Sequence, residues 1–364
     1  MHRRGFLQIG MAGLLLGPAQ LLADGNRVGH LLSCYSDHDG NHFLGMTDRQ
    51  GRLLMNLQLP ARGHGVSVDE QQRHAAVFAR RPGDFVWIVD LRNRRVVQKI
   101  SAAPGRHFYG HGVFTPAGQL LCSENAFDSG LGVIGIYQAD QNFRRVGEFL
   151  SGGIGPHEIR LLGNRQTLVV ANGGILTHPD LPRVKENLAT MRPNLAYLDI
   201  GSGKLLHTHE PPAQWHQLSI RHIAVSPDDR VAIAMQYEGL PYKQPPLIAL
   251  HQGDQALKLL SAPAKVQRRM KNYCGSVEFC TDGSRFAVSS PRGGLVTYWS
   301  AEGQFLGQHK QADVCGISPL LDESDSFLAS DGNGGVKHID DGQQTVGSWQ
   351  RAGLRWDNHM QLIL

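Results

Sequence analysis

His222-Ile-Ala-Val-Ser-Pro-Asp-Asp-Arg-Val-Ala-Ile-Ala-Met235 reads as a strand, a Pro/Asp turn and a second strand. The same phrase returns as Ser276-Val-Glu-Phe-Cys-Thr-Asp-Gly-Ser-Arg-Phe-Ala-Val-Ser-Ser290 and as His111-Gly-Val-Phe-Thr-Pro-Ala-Gly-Gln-Leu-Leu-Cys-Ser123. A third strand closing on a polar residue and then a fourth follow, as in Phe85–Asp90 with Arg95–Ile100, Asn194–Asp199 with Lys204–Leu206, and Val296–Ser300 with Gln304–Leu306. Four-strand phrases at a spacing of about 40–50 residues are the signature of propeller blades.

Full copies begin near residues 64, 111, 157, 222, 276 and 317, which makes six. Leu31–Leu59 holds three strands of a seventh, and Asn358–Leu364 is expected to supply its missing strand. The fold predicted is all-β, a seven-bladed β-propeller whose closing blade is shared between the N- and C-terminal segments. Sharing that blade leaves no open edge between first and last blades. The composition agrees: 43 glycines and 18 prolines suit short strands joined by many turns.

The chain opens Met1-His-Arg3-Arg4-Gly-Phe-Leu-Gln8 and continues into a short apolar stretch broken by Gly10, Gly13 and Gly17. This predicts a twin-arginine signal peptide over 1–23, cleaved after Ala23, and a single propeller domain over 24–364 in the periplasm. No later segment has the length of a membrane span. The net charge of +4 falls to +2 once Arg3 and Arg4 leave, which argues against nucleic acid as a partner.

Placed on the repeat, His64, His111, His157 and His222 stand at the start of the innermost strand in four successive blades. His359 takes that place in the shared blade. The other two blades carry Cys274 and Cys315 two residues before it, and a displacement of two keeps a side chain on one face of a strand. All seven are therefore candidate metal ligands at one mouth of the channel. His111, His157 and His222 lead, with Cys274 available to complete a four-ligand set. Imidazole and thiolate suit Fe, Cu or Zn. Cys274 and Cys315 also have the option of a disulfide. Cys280 reads as structural, and Cys34 and Cys122 as core. Two long inserts, 173–193 and 237–246, lie between second and third strands and mark the binding face. Glu124, Asn125, Asn172, Glu238 and Arg292 on that face are candidates to bind a ligand or to hydrogen-bond the metal ligands.

The twin-arginine start, the Gly-His-Gly phrases at 63–65 and 110–112, Gly-Pro-His-Glu at 155–158 and Arg-His-Ile-Ala at 221–224 resemble a bacterial domain-of-unknown-function family of exported seven-bladed propellers. The resemblance covers essentially the full chain. It implies neighbours of the imelysin type and a dihaem oxidoreductase-like protein, and with them a role in iron acquisition. Three functions are compatible with these readings: a periplasmic propeller that binds or handles iron or copper, a metal-dependent or lactonase-like enzyme using Glu124 or Glu238, and a protein-interaction scaffold. No Ser-His-Asp spacing, nucleotide-binding loop or Cys-x-x-Cys-His haem motif points to a specific chemistry.

Overall fold

The computed structural model describes residues 29–181 and 184–364. The signal peptide expected over 1–23 lies outside them. Seven four-stranded antiparallel sheets are present. Blades 1 to 6 each use four consecutive strands, and their innermost strands are Gly63–Val68, Arg106–Phe114, Pro156–Leu161, Leu218–Val225, Ser276–Phe279 and Val314–Pro319. Blade 7 takes its innermost strand, Arg355–Ile363, from the C-terminal end of the chain and pairs it with His30–Ser36, His42–Thr47 and Leu53–Leu59. Each innermost strand packs against the next, and Arg355–Ile363 touches both Val314–Pro319 and Gly63–Val68, so the ring closes. The sequence-predicted architecture, including the shared blade, is the observed one.

Each sheet alternates side chains between its two faces, and both faces of a propeller blade meet a neighbouring blade. The apolar core is accordingly divided among blade interfaces. Leu32, Met46, Ala75, Val77 and Val89 fill the space between blades 7 and 1. Phe78, Ile88, Phe108, Leu120 and Tyr137 fill the space between blades 1 and 2. Outermost strands such as Arg144–Leu150 alternate between exposed and half-buried positions.

The insert at 173–193, whose sequence over Val184–Met191 is compatible with a helical turn, instead forms hydrogen-bonded turns around 186–190. A short helix stands at Ala264–Arg269. Among the described residues no helix is long and apolar enough to cross a membrane.

Candidate metal centre

A regular strand would point alternate side chains into the channel at fixed intervals. Six of the seven innermost strands are not regular. Their pairing with the second strand slips between Gly63 and Val66, Phe108 and Gly112, Pro156 and Ile159, Ile220 and His222, Val314 and Ile317, and across Trp356–Met360. A bulge of this kind bends the strand and re-aims a side chain. His64, His111, His157 and His359 lie within such bulges, and His222 follows one directly. The flanking glycines let the strands approach. A Cβ on Gly65 would stand 2.4 Å from the Gly110 carbonyl, and Gly110 itself has φ +96°, a conformation suited to glycine.

The five imidazoles consequently meet. From His359 through His64, His111, His157 and His222 and back to His359, successive ring centroids are 4.7, 4.9, 4.7, 4.9 and 4.8 Å apart. Three groups have ligand atoms within 4.8 Å of one another: His64/His111/His359, His111/His157/His222, and Glu158/His222/His359. Metal–nitrogen bonds of about 2.0–2.1 Å hold ligand atoms no more than about 4 Å apart, so small ring movements suffice to close any of them on an ion.

Two of the rings are oriented by carboxylates from the preceding histidine-bearing blade. Asp357 of blade 7 meets His64 Nδ1 at 2.9 Å and accepts from Arg62 Nε at 2.5 Å. Glu158 of blade 3 meets His222 Nδ1 at 3.1 Å and accepts from the Ile223 amide at 3.3 Å and from Arg160 at 2.7 Å. A carboxylate on Nδ1 fixes the ring and turns Nε2 inward, the arrangement that supports metal-bound histidines. The remaining rings have buried nitrogens without any partner: His111 Nε2, His157 Nδ1 and His359 Nε2. Buried polar atoms are almost always bonded, so three orphans converging on one space fit a site that receives an ion.

The electrostatics suit ligation. Burial pushes the basicity of His111, His157 and His359 well below the ordinary value, and each is lowered further by neighbouring histidines. Burial also lowers His64, against the opposing pull of Asp357. These rings are neutral at pH 7 and offer lone pairs to a cation. Burial alone would raise the Glu158 carboxyl, but Arg160 and His222 outweigh it and hold it well below the usual range. Its neighbour Glu278, which shares Arg160, is raised to about 7 by burial.

These shifts set a pH dependence. A histidine buried neutral protonates only on unfolding, so stability is present above about pH 6.5 and is lost as pH falls below it, on the order of 1 kcal/mol per pH unit for each such histidine. Asp357 and Glu158, held low, add losses in the same direction under more acid conditions. Glu278 runs the other way and offsets one proton. Thermal unfolding of the metal-free protein is expected at steadily lower temperature from pH 7.5 to 5.5. A midpoint that is flat or rises would contradict the neutral buried state.

The cluster sits inside the channel and not at a mouth. On one side His64, His157 and His222 line a cavity of about 260 Å³. On the other, His111, His359 and Glu158 line one of about 330 Å³. The first, a vestibule, is reached by both inserts, which contribute Lys185 and Glu238.

The cysteines are elsewhere. Cys274 is buried in the apolar cluster that also holds Met235, Leu247 and Val277, and burial pushes its thiol up to about 12. It precedes the one innermost strand without a bulge, so nothing re-aims it into the channel. Cys315 lies in a bulge, but its thiol turns back onto the Asp313 carbonyl at 3.1 Å. Neither belongs to a ligand group among the described residues. All five cysteines are free, so the optional disulfide is not formed.

The outer candidates divide. Glu238 and Arg292 line the vestibule; Glu238 pairs with Lys185, and Arg292 stacks 4.3 Å over Tyr273. Glu124 is instead locked inside blade 2 by Tyr137 at 2.7 Å and Arg145 at 2.8 Å. Asn125 bonds His107 at 3.2 Å, away from the five-histidine cluster. Asn172 bridges Ser151 and Asn194. Sequence reasoning took loop position for proximity to the channel, whereas these three point into or between blades. It missed Asp357, Glu158, Arg62 and Arg160. The available signal was a charged residue within two positions of a ring histidine, as in His157-Glu158 and Asp357-Asn-His359.

The fold is similar to that of Kuenenia stuttgartiensis hydrazine synthase, with a TM-score of 0.62 at 14% identity over 85% of this chain and 95% of that one. No curated protein matches the sequence. A family model described as "Protein of unknown function (DUF1513)" matches residues 57–363, which span all seven innermost strands and every ring histidine, and the chain belongs to that family.

Proposed function

We propose that this protein binds a transition metal, iron or copper, in the middle of its channel and serves iron acquisition in the periplasm. The observation that carries the reading is the convergence of four buried imidazoles and the half-buried His359, with three unpartnered ring nitrogens among them. With the thiols turned away, the donors are nitrogen and carboxylate. Such a set suits iron, copper or zinc, and the Glu158/His222/His359 group has the two-histidine, one-carboxylate composition of non-haem iron sites. The periplasmic setting rests on Arg3-Arg4, and the link to imelysin-type partners rests on the family resemblance. A lactonase-like hydrolase built on Glu124 loses its support, because that carboxylate is enclosed within a blade.

Elemental analysis of protein purified from its native periplasm tests the metal reading. Close to one equivalent of iron or copper is expected. Protein that arrives empty, and takes up neither Fe(II) nor Cu(II) after chelator treatment, would refute it. The setting has its own test. Replacing Arg3 and Arg4 by lysine is expected to leave the precursor in the cytoplasm, and normal delivery of that variant would exclude twin-arginine export.

A further inference from the structure

The vestibule above His64, His157 and His222 carries a charge imbalance that the metal site does not use. Five cations line it, namely Arg80, Arg81, Lys185, Arg221 and Arg292, against one carboxylate, Glu238. Glu238 is already engaged by Lys185. The four guanidiniums have no carboxylate partner among the described residues. Arg81 reaches only the Thr177 hydroxyl, at 3.4 Å, and Arg292 lies over the Tyr273 ring.

Arg221 is the telling member. It is 7% exposed, lines the cavity, and its Nε has no hydrogen-bond partner. A buried guanidinium without a counter-charge is costly, and proteins retain one where a ligand supplies the missing charge. Arg81 is under similar pressure: burial first, then the charge of Arg221, lowers it to about 10. Arg81 lies between the second and third strands of blade 1, Arg221 stands in the bulge of blade 4, and Arg292 follows the second strand of blade 5. Three separate blades thus present guanidinium groups to one space. At about 260 Å³ the space lies near the lower end of ligand-site volumes, about 300–1,000 Å³.

We infer that this vestibule is a binding site for a small, multiply charged oxyanion, whose carboxylate or phosphate oxygens take the guanidinium groups of Arg81 and Arg221. Planar guanidinium forks match both oxyanion types in paired hydrogen bonds. The site stands without a metal, although an anion held there lies beside the imidazoles that the metal reading assigns as ligands.

Calorimetric titration of the chelator-treated, full-length mature protein tests the inference. Citrate and inorganic phosphate serve as probes, with ionic strength held constant by sodium chloride. Saturable binding of at least one probe is expected, and the probe preferred separates carboxylate from phosphate chemistry. Arg81→Gln and Arg221→Gln are each expected to weaken it by about tenfold or more, as loss of a charge-assisted hydrogen bond does. Arg81 is the safer variant, because it is less buried and its substitution disturbs the fold less. No binding of either probe, or binding unchanged in both variants, overturns the inference. Metal uptake without anion binding defeats the anion site alone, and anion binding without metal uptake defeats the metal reading alone.

Discussion

Deletion of Asn358–Leu364 is expected to abolish cooperative folding. The segment is most of the innermost strand of blade 7, and it buries Met360, Leu362 and Ile363 to 7% exposure or less. Burial of such side chains stabilises by about 1.5–3 kcal/mol each, so their joint loss is on the order of 5–9 kcal/mol. That is comparable with the whole stability of an ordinary domain, about 5–15 kcal/mol. The deletion also exposes the edge of His30–Ser36 and removes contacts to Val314–Pro319 and Gly63–Val68. A chain ending at Asp357 is therefore expected to lose its thermal transition or to aggregate. An unchanged unfolding midpoint would mean that the ring does not depend on its closing strand.

The second large effect is expected at the proposed metal centre. His157→Ala removes one ligand nitrogen from the group it forms with His111 and His222. His157 Nδ1 has no hydrogen-bond partner in the fold, so its removal breaks no bond that holds the blades together. Metal affinity is expected to fall by more than the roughly 10–100-fold typical of a lost orienting partner, while the metal-free protein keeps its thermal midpoint. Glu158→Gln, which alters both the group that orients His222 and the carboxylate of the Glu158/His222/His359 group, is expected to cost at least about 10–100-fold. Cys274→Ser is expected to leave metal affinity unchanged, because that thiol is sealed in an interblade core. Equal affinity in wild type and His157→Ala, measured by competition with a chelator, would exclude the His111/His157/His222 group as the binding site.

The contrast between His157 and Cys274 shows how far the sequence could be read. Both stand at the start of an innermost strand, and the two-residue period assigns both to the channel. The innermost strand of blade 5 is regular. There Cys274 precedes the first paired residue and drops into the apolar interface. His157 lies in a bulge, where the count slips and the ring turns inward. The Gly-His-Gly phrases at 63–65 and 110–112 flank two of these bulges, whereas the bulge at His157 has no such pair of glycines to mark it.

By itself the sequence determined the all-β class, the seven repeats, the closure by the two ends and the common level of the five histidines. Those features are local or periodic: turn residues, strand alternation and the spacing of copies are written along the chain. Tertiary structure alone decided that the rings meet in mid-channel, that Asp357 and Glu158 orient rings in the next histidine-bearing blade, and that Glu124 is locked away from the channel. It also decided that Arg81 and Arg221, 140 residues apart in the chain, face the same cavity. The physical reason is that each of these depends on a contact between blades. A repeat specifies the interior of one blade, whereas the angle at which bulged strands from different blades converge is set only when the ring closes.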